Sequence, residues 1–146
     1  MEKAEHRDRS IMAKRIGGEF NLTGVWRGLY SYPIKRAPVP FTASVNESGC
    51  WITGATEEVA TARAAFGRTL TATLQGRRSG SSVRFLKLYD CPMRVYDSVA
   101  YEGSVNAEGT EIEGRWTVPG NWSGKFLMIR EGEIALTRAR TVKEKV

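Results

Sequence analysis

The sequence predicts an all-β domain in which about eight antiparallel strands run up and down and close into a barrel. Three observations lead there. From Phe20 onward, short runs alternate apolar and polar residues with period two and are rich in Val, Thr, Tyr, Phe and Trp. Most connections between the runs are a few residues of Gly, Asn, Pro, Ser and Glu, whereas a crossover between parallel strands needs roughly a dozen or more. An open meander of this size would leave two unpaired edges, and joining the first strand to the last removes them.

The elements follow in order. Residues 1–18 form a charged arm with a weak helical pattern in Ile11, Met12 and Ile16, and Gly17-Gly18 separates it from the barrel domain at 19–131. Strands are expected near 22–32, 40–46, 50–56, 69–75, 82–89, 99–105, 111–118 and 124–130, and residues 132–146 form a polar tail. The segments 46–49, 76–80 and 106–109 supply residues that tolerate left-handed backbone angles, so each reads as a hairpin turn, and Pro119-Gly120-Asn121 serves before the last strand. Two links are longer. Residues 57–66 are rich in Ala, with Val59, Ala62 and Phe66 spaced to share one helical face and Gly67 at a stop position, which predicts a short helix or cap. The segment 90–97, containing Pro92, is irregular. Glycines inside the strands, at Gly24, Gly28, Gly54, Gly103, Gly114 and Gly124, weaken them unless used for sharp coiling or for close approach of a ring.

A chain of 146 residues makes one domain with a real core. Its net charge of +6 invites a nucleic-acid reading, but residues 1–18, 19–129 and 130–146 each contribute only +2. Phosphate binding strengthens as more cations act together, so this dispersion argues against nucleic acid, and mean hydropathy of −0.36 argues against a membrane. Residues 1–15 lack an apolar run, which makes the reducing cytoplasm the expected compartment and free, buried thiols the expected state of Cys50 and Cys91.

The lone histidine, His6, lies in the arm. Most histidine-dependent triads and nearly all histidine-based zinc sites are thereby eliminated, and the two cysteines cannot make a structural metal centre alone. No Gly-rich phosphate loop is present, and no metal or cofactor is expected. The carboxylates Glu111 and Glu113 alternate on one face that Arg115 continues, and read with it as a solvated outer stripe, with Glu102 also outside.

At Gly24-Val25-Trp26 the first strand resembles the Gly-x-Trp opening of the calycin barrels, the lipocalins, fatty-acid-binding proteins and avidins. The resemblance implies that Trp26 closes one end of the barrel and that a basic residue of the last strand, Arg130, lies across it. The span 20–131 also resembles a family of small bacterial barrel proteins, through Phe41-Thr42-Ala43, Phe85-Leu86-Lys87-Leu88-Tyr89-Asp90, Tyr101-Glu102-Gly103, Ile112-Glu113-Gly114-Arg115-Trp116 and Ser123-Gly124-Lys125-Phe126. That second resemblance implies a fold and transfers no catalytic residue. The signal peptide and disulfides of lipocalins have no counterpart in this sequence.

The aromatic set Trp26, Tyr30, Tyr32, Phe85, Tyr89, Tyr101, Trp116 and Phe126 falls on consistent alternate positions, and a small barrel either fills itself with such rings or holds one small ligand. Lys87 shares a face with Val83, Phe85 and Tyr89, while Arg84, Leu86 and Leu88 take the other. If the first face is interior, Lys87 is an ammonium among aromatics, able to act as a base or to anchor an acid. Leu86 and Leu88, grouped with Leu70, Ala72 and Leu74, would then form an apolar outer row suited to a homodimer. If that row is interior, both Lys87 and the dimer drop out.

The expected function is binding of a small, partly apolar ligand, acidic if Lys87 anchors it, with Trp26, Tyr30, Phe85, Lys87, Tyr101 and Trp116 as lining candidates. No catalytic residue is assigned. The alternatives are a cofactor-free isomerase or cyclase in the barrel mouth, with Lys87 or Tyr101 moving a proton, and a protein-interaction module without a pocket.

Overall fold

The computed structural model describes residues 21–59, 67–90 and 98–132. These residues form eight strands: β1 (Gly24–Ser31), β2 (Val39–Ser48), β3 (Trp51–Val59), β4 (Thr69–Ser79), β5 (Ser82–Tyr89), β6 (Val99–Val105), β7 (Glu111–Val118) and β8 (Trp122–Arg130). Each pairs antiparallel with the next, and β1 pairs with β8, so the sheet closes in the up-and-down order the short turns dictate. Strand alternation is clearest in β2, where Val39, Phe41, Ala43, Val45 and Glu47 point inward and Pro40, Thr42, Ser44 and Asn46 point outward.

One element differs. Residues 57–59 belong to β3, with Glu57, Glu58 and Val59 opposite Thr71, Leu70 and Thr69. Ladder pairing on β4 outweighs the weak local helix preference of this segment. The rest of the expected cap, residues 60–66, lies outside the described residues, as do the arm at 1–18 and the tail from 133 onward.

The interior is lined by Trp26, Tyr30, Phe41, Phe85, Tyr101, Trp116, Phe126 and Met128, with smaller aliphatic residues between them. Glycines make room for the rings. A Cβ on Gly28 would lie 2.2 Å from the Phe41 ring, and one on Gly124 would lie 2.6 Å from the Trp116 indole nitrogen. Both glycines therefore leave free the space that a neighbouring large ring leans across.

One end is sealed. The Trp26 indole N–H donates to the Leu22 carbonyl at 2.9 Å, and the Arg130 guanidinium lies 5.1 Å from the Trp26 ring. Arg130 also donates to the carbonyls of Asn21, Thr23 and Gly109. Beside it, the buried Glu47 carboxylate accepts from the Leu22 backbone N–H and from Arg78, each at 2.8 Å. At the opposite mouth Tyr32 packs against Trp116 and Trp122 at centroid distances of 5.9 and 5.1 Å.

The register divides the five-residue apolar row. Leu74 pairs with Lys87 and Ala72 with Tyr89, whereas Leu86 and Leu88 pair with Gln75 and Thr73. Leu70, Ala72 and Leu74 are therefore interior on the same side as Lys87, and Leu86 and Leu88 stand outside. Periodicity within each strand cannot fix the offset between two strands, and a one-residue offset separates the groups. Two smaller readings are also corrected. Cys50 is exposed rather than buried, because it sits in the turn between β2 and β3. Glu111 is buried although its side chain is outward, opposite the still more deeply buried Ile129.

Candidate functional site

The inward face of β5 continues from Val83 and Phe85 to Lys87, and the inward face of β3 continues from Ile52 and Thr56 to Glu58. Both runs obey period two, so the same alternation that buries Ile52 and Phe85 buries a carboxylate and an ammonium. Their side chains are each 1% exposed, and Lys87 Nζ donates to Glu58 Oε1 at 2.6 Å. The two strands are separated by β4, so the pair bridges the interior rather than one ladder.

Two phenols complete the carboxylate's shell. The Tyr30 hydroxyl donates to Glu58 Oε2 at 2.5 Å and the Tyr89 hydroxyl to Oε1 at 2.8 Å. With three donors, one of them the counter-ion Lys87, the buried negative charge is met on both oxygens. Lys87 is enclosed by rings, its Nζ lying 4.7 Å from the centroid of Phe41, 4.9 Å from Tyr89, 5.1 Å from Tyr30 and 5.7 Å from Tyr101. Such contacts contribute about 0.5–2 kcal/mol each, more where water is excluded.

Burial holds the Lys87 pKa below the ordinary lysine value, and the adjacent carboxylate of Glu58 partly opposes that shift. The Tyr30, Tyr89 and Tyr101 hydroxyls are pushed well above the usual phenol range, first by burial and then by neighbouring charge and phenols. They are held neutral. The cluster thus contains a carboxylate, an ammonium with spare N–H donors and phenols able to donate, which can orient a polar group or move a proton.

Of the six lining candidates, Tyr30, Lys87 and Tyr101 meet in this cluster. Phe85 supports it by stacking on Tyr101 at 4.9 Å, and Trp116 stands edge-on to Tyr30 at 6.2 Å. Trp26 lies at the sealed end, under Arg130. Sequence reasoning missed Glu58, Phe41 and Thr56. Glu58 was assigned to the expected cap, yet counting by twos from Ile52 through Gly54 and Thr56 reaches it. Among the described residues no group of three or more His, Cys, Asp or Glu side chains could hold a metal.

Two concavities open on the outer wall, apart from this cluster. A groove of about 570 Å³ runs over Gly76 between Trp51, Arg77, Leu86 and Ala100, and a second of about 540 Å³ adjoins it at Arg78, Ser82 and Gly103. Trp51 is 59% exposed and lies under the Arg77 guanidinium at 5.0 Å.

Comparison with protein-family models, curated proteins and solved structures gave no significant match. The class of the protein is thus defined by its own architecture, a closed eight-stranded up-and-down β-barrel whose interior holds an ion pair inside an aromatic cage. Among the described residues no helix is long and apolar enough to cross a membrane.

Proposed function

We propose that this is a calycin-like barrel that binds a small, partly apolar molecule at the Glu58–Lys87 cluster. The observation that carries the reading is the ion pair itself. Desolvating two charges costs several kcal/mol per ion, and a hydrophobic pair of similar volume would fill the same space at equal or lower free energy. A buried acid and base ringed by tyrosines is therefore a poor way to stabilise a barrel and a good way to orient a polar ligand in an apolar interior. With Trp26 covered by Arg130, entry is proposed at the opposite mouth, beside Tyr32. The exposed, unpaired Cys50 agrees with a reducing, cytoplasmic setting.

Native mass spectrometry of gently purified protein tests this reading. The expected result is a retained small molecule that is lost in Lys87→Met. A bare chain whose melting temperature responds to no compound in a broad metabolite screen would overturn it.

A second reading, proton-transfer catalysis without a cofactor, is favoured by Glu58 and Lys87 lying within one hydrogen bond of each other. Glu58 then takes the role of base, with Lys87 and Tyr101 facing the developing negative charge. Turnover of a bound compound, abolished in Glu58→Gln while binding persists, separates catalysis from carriage.

The outer wall supports a further proposal, association of two copies through Trp51 and Leu86. Both are exposed apolar side chains beside one groove. Light scattering at increasing concentration is expected to show a dimer that Leu86→Glu dissociates; a monomer throughout would refute it.

A further inference from the structure

The ligand-binding reading, on which this inference rests, leaves the ligand's chemistry open, and the charge inside the cage narrows it. One cation and one anion are enclosed together, so the cluster is neutral before anything binds. A carboxylate ligand would bring a second negative charge to the same ammonium and leave a net charge in a barrel interior that solvates charge poorly. The Tyr30 and Tyr89 hydroxyls already donate to Glu58, so the newcomer would compete for those donors as well.

An uncharged acceptor meets the opposite situation. Lys87 carries three N–H donors, and among the described residues its hydrogen bond goes to Glu58 alone, with rings around the rest of the ammonium. A carbonyl oxygen can take a remaining N–H without altering the charge balance. Thr56 supplies a second, independent observation. Its hydroxyl is buried on the inward face of β3, two residues before Glu58, and has no hydrogen-bond partner among the described residues. A buried orphan hydroxyl costs about 1–3 kcal/mol, a cost relieved when a bound molecule presents a polar atom to it. Its cross-strand neighbours are Ala43 and Ala72, both too short to crowd it.

We infer that the ligand is an uncharged compound with a carbonyl-type acceptor, such as a ketone, ester, lactone or amide, on an apolar or aromatic skeleton. Glu58 is the residue that rejects the corresponding carboxylates. It does so by occupying the ammonium that would otherwise anchor them.

The test is a panel of matched probes on linear, monocyclic and bicyclic aromatic skeletons, each as methyl ketone, methyl ester and free carboxylate, for example 2-acetylnaphthalene, methyl 2-naphthoate and 2-naphthoate. Binding is measured by calorimetry at neutral pH to the wild type, Glu58→Gln and Thr56→Val. The wild type is expected to bind the best neutral member about tenfold or more tightly than its carboxylate, and Glu58→Gln to reverse that order. Thr56→Val is expected to fold at least as stably as the wild type and to lose roughly fivefold or more in affinity for the neutral member. Carboxylates that bind the wild type as well as their esters overturn the inference and leave ligand binding intact. A panel with no binder to any of the three proteins overturns both. Should Glu58→Gln fail to fold, the wild-type ratio and Thr56→Val still decide.

Discussion

Lys87 on β5 and Glu58 on β3 meet at 2.6 Å across the face of β4, a strand that contributes only Leu70, Ala72 and Leu74 to the interior between them. The contact depends on barrel curvature, since two strands that share no ladder are brought within hydrogen-bond distance only where the sheet curls around its axis.

Removing one partner strands the other. Glu58→Gln leaves a buried ammonium without a counter-ion and Lys87→Met a buried carboxylate held only by phenols, so each is expected to lose about 3–5 kcal/mol of stability. The double variant Glu58→Leu with Lys87→Met removes both charges at similar volume and is expected to recover most of the loss or to exceed the wild type by ~1–4 kcal/mol. Urea unfolding of the four proteins checks this. A double variant that stays several kcal/mol below the wild type would mean that the pair stabilises the barrel better than apolar side chains of its volume, which would remove the main argument for a functional site.

Alkaline pH should unfold the barrel through its tyrosines. Tyr30, Tyr89 and Tyr101 have folded pKa values raised above the ordinary 10.0, so the stability they contribute is full below that pH and is lost as pH rises above it. Each contributes about 1.4 kcal/mol per pH unit in that range, or about 4 kcal/mol per unit for the three. Lys87, lowered from 10.5, acts oppositely: its contribution is present above 10.5 and lost as pH falls toward its folded value. Stability should therefore climb gently toward pH 10 and fall steeply past 10.5. Phenolate absorbance followed together with circular dichroism should show these three ionising only as the fold is lost. Their smooth titration in the folded protein would contradict the burial described.

How far the sequence could be read is clear from β3 and β5. Alternation assigned Val83, Phe85 and Lys87 to one face but left open whether that face is inner or outer, and only the closed barrel turns it inward. Glu58 was hidden by composition. Glu, Ala and Thr around residues 57–66 carry helix preference, while the pairing of Glu57, Glu58 and Val59 to β4 depends on a strand some ten residues away in sequence. The placing of Leu70, Ala72 and Leu74 relative to Leu86 and Leu88 was illegible for a related reason: a cross-strand offset is set by the turn at Gly80, not by either strand's own pattern.

Gly28 should resist even alanine. The added methyl would lie 2.2 Å from the Phe41 ring, which itself stands against Lys87, so the ring must tilt out of the cage or the strand must flatten. The expected loss is about 1–3 kcal/mol, as for an overpacked core. Gly28→Ala combined with Phe41→Leu should recover part of it, because the shorter side chain vacates the space. No recovery in the double variant would place the strain in the backbone of β1 instead.

Arg130 should matter to the sealed end and not to the mouth. Its guanidinium covers the Trp26 ring and donates to three carbonyls, so Arg130→Met removes one cation–π contact of about 0.5–2 kcal/mol together with charge-assisted hydrogen bonds of comparable size. A loss of roughly 2–3 kcal/mol in urea unfolding is expected, and Arg130→Lys should restore only part of it, since one ammonium cannot reach separate carbonyls and the indole together. Binding of a neutral probe at Lys87 should keep its affinity in both variants, because Arg130 contacts Trp26 and the carbonyls of Asn21, Thr23 and Gly109 and no member of the Lys87 cage. If affinity falls in step with stability, the barrel transmits strain along its axis and the two ends cannot be treated as separate sites.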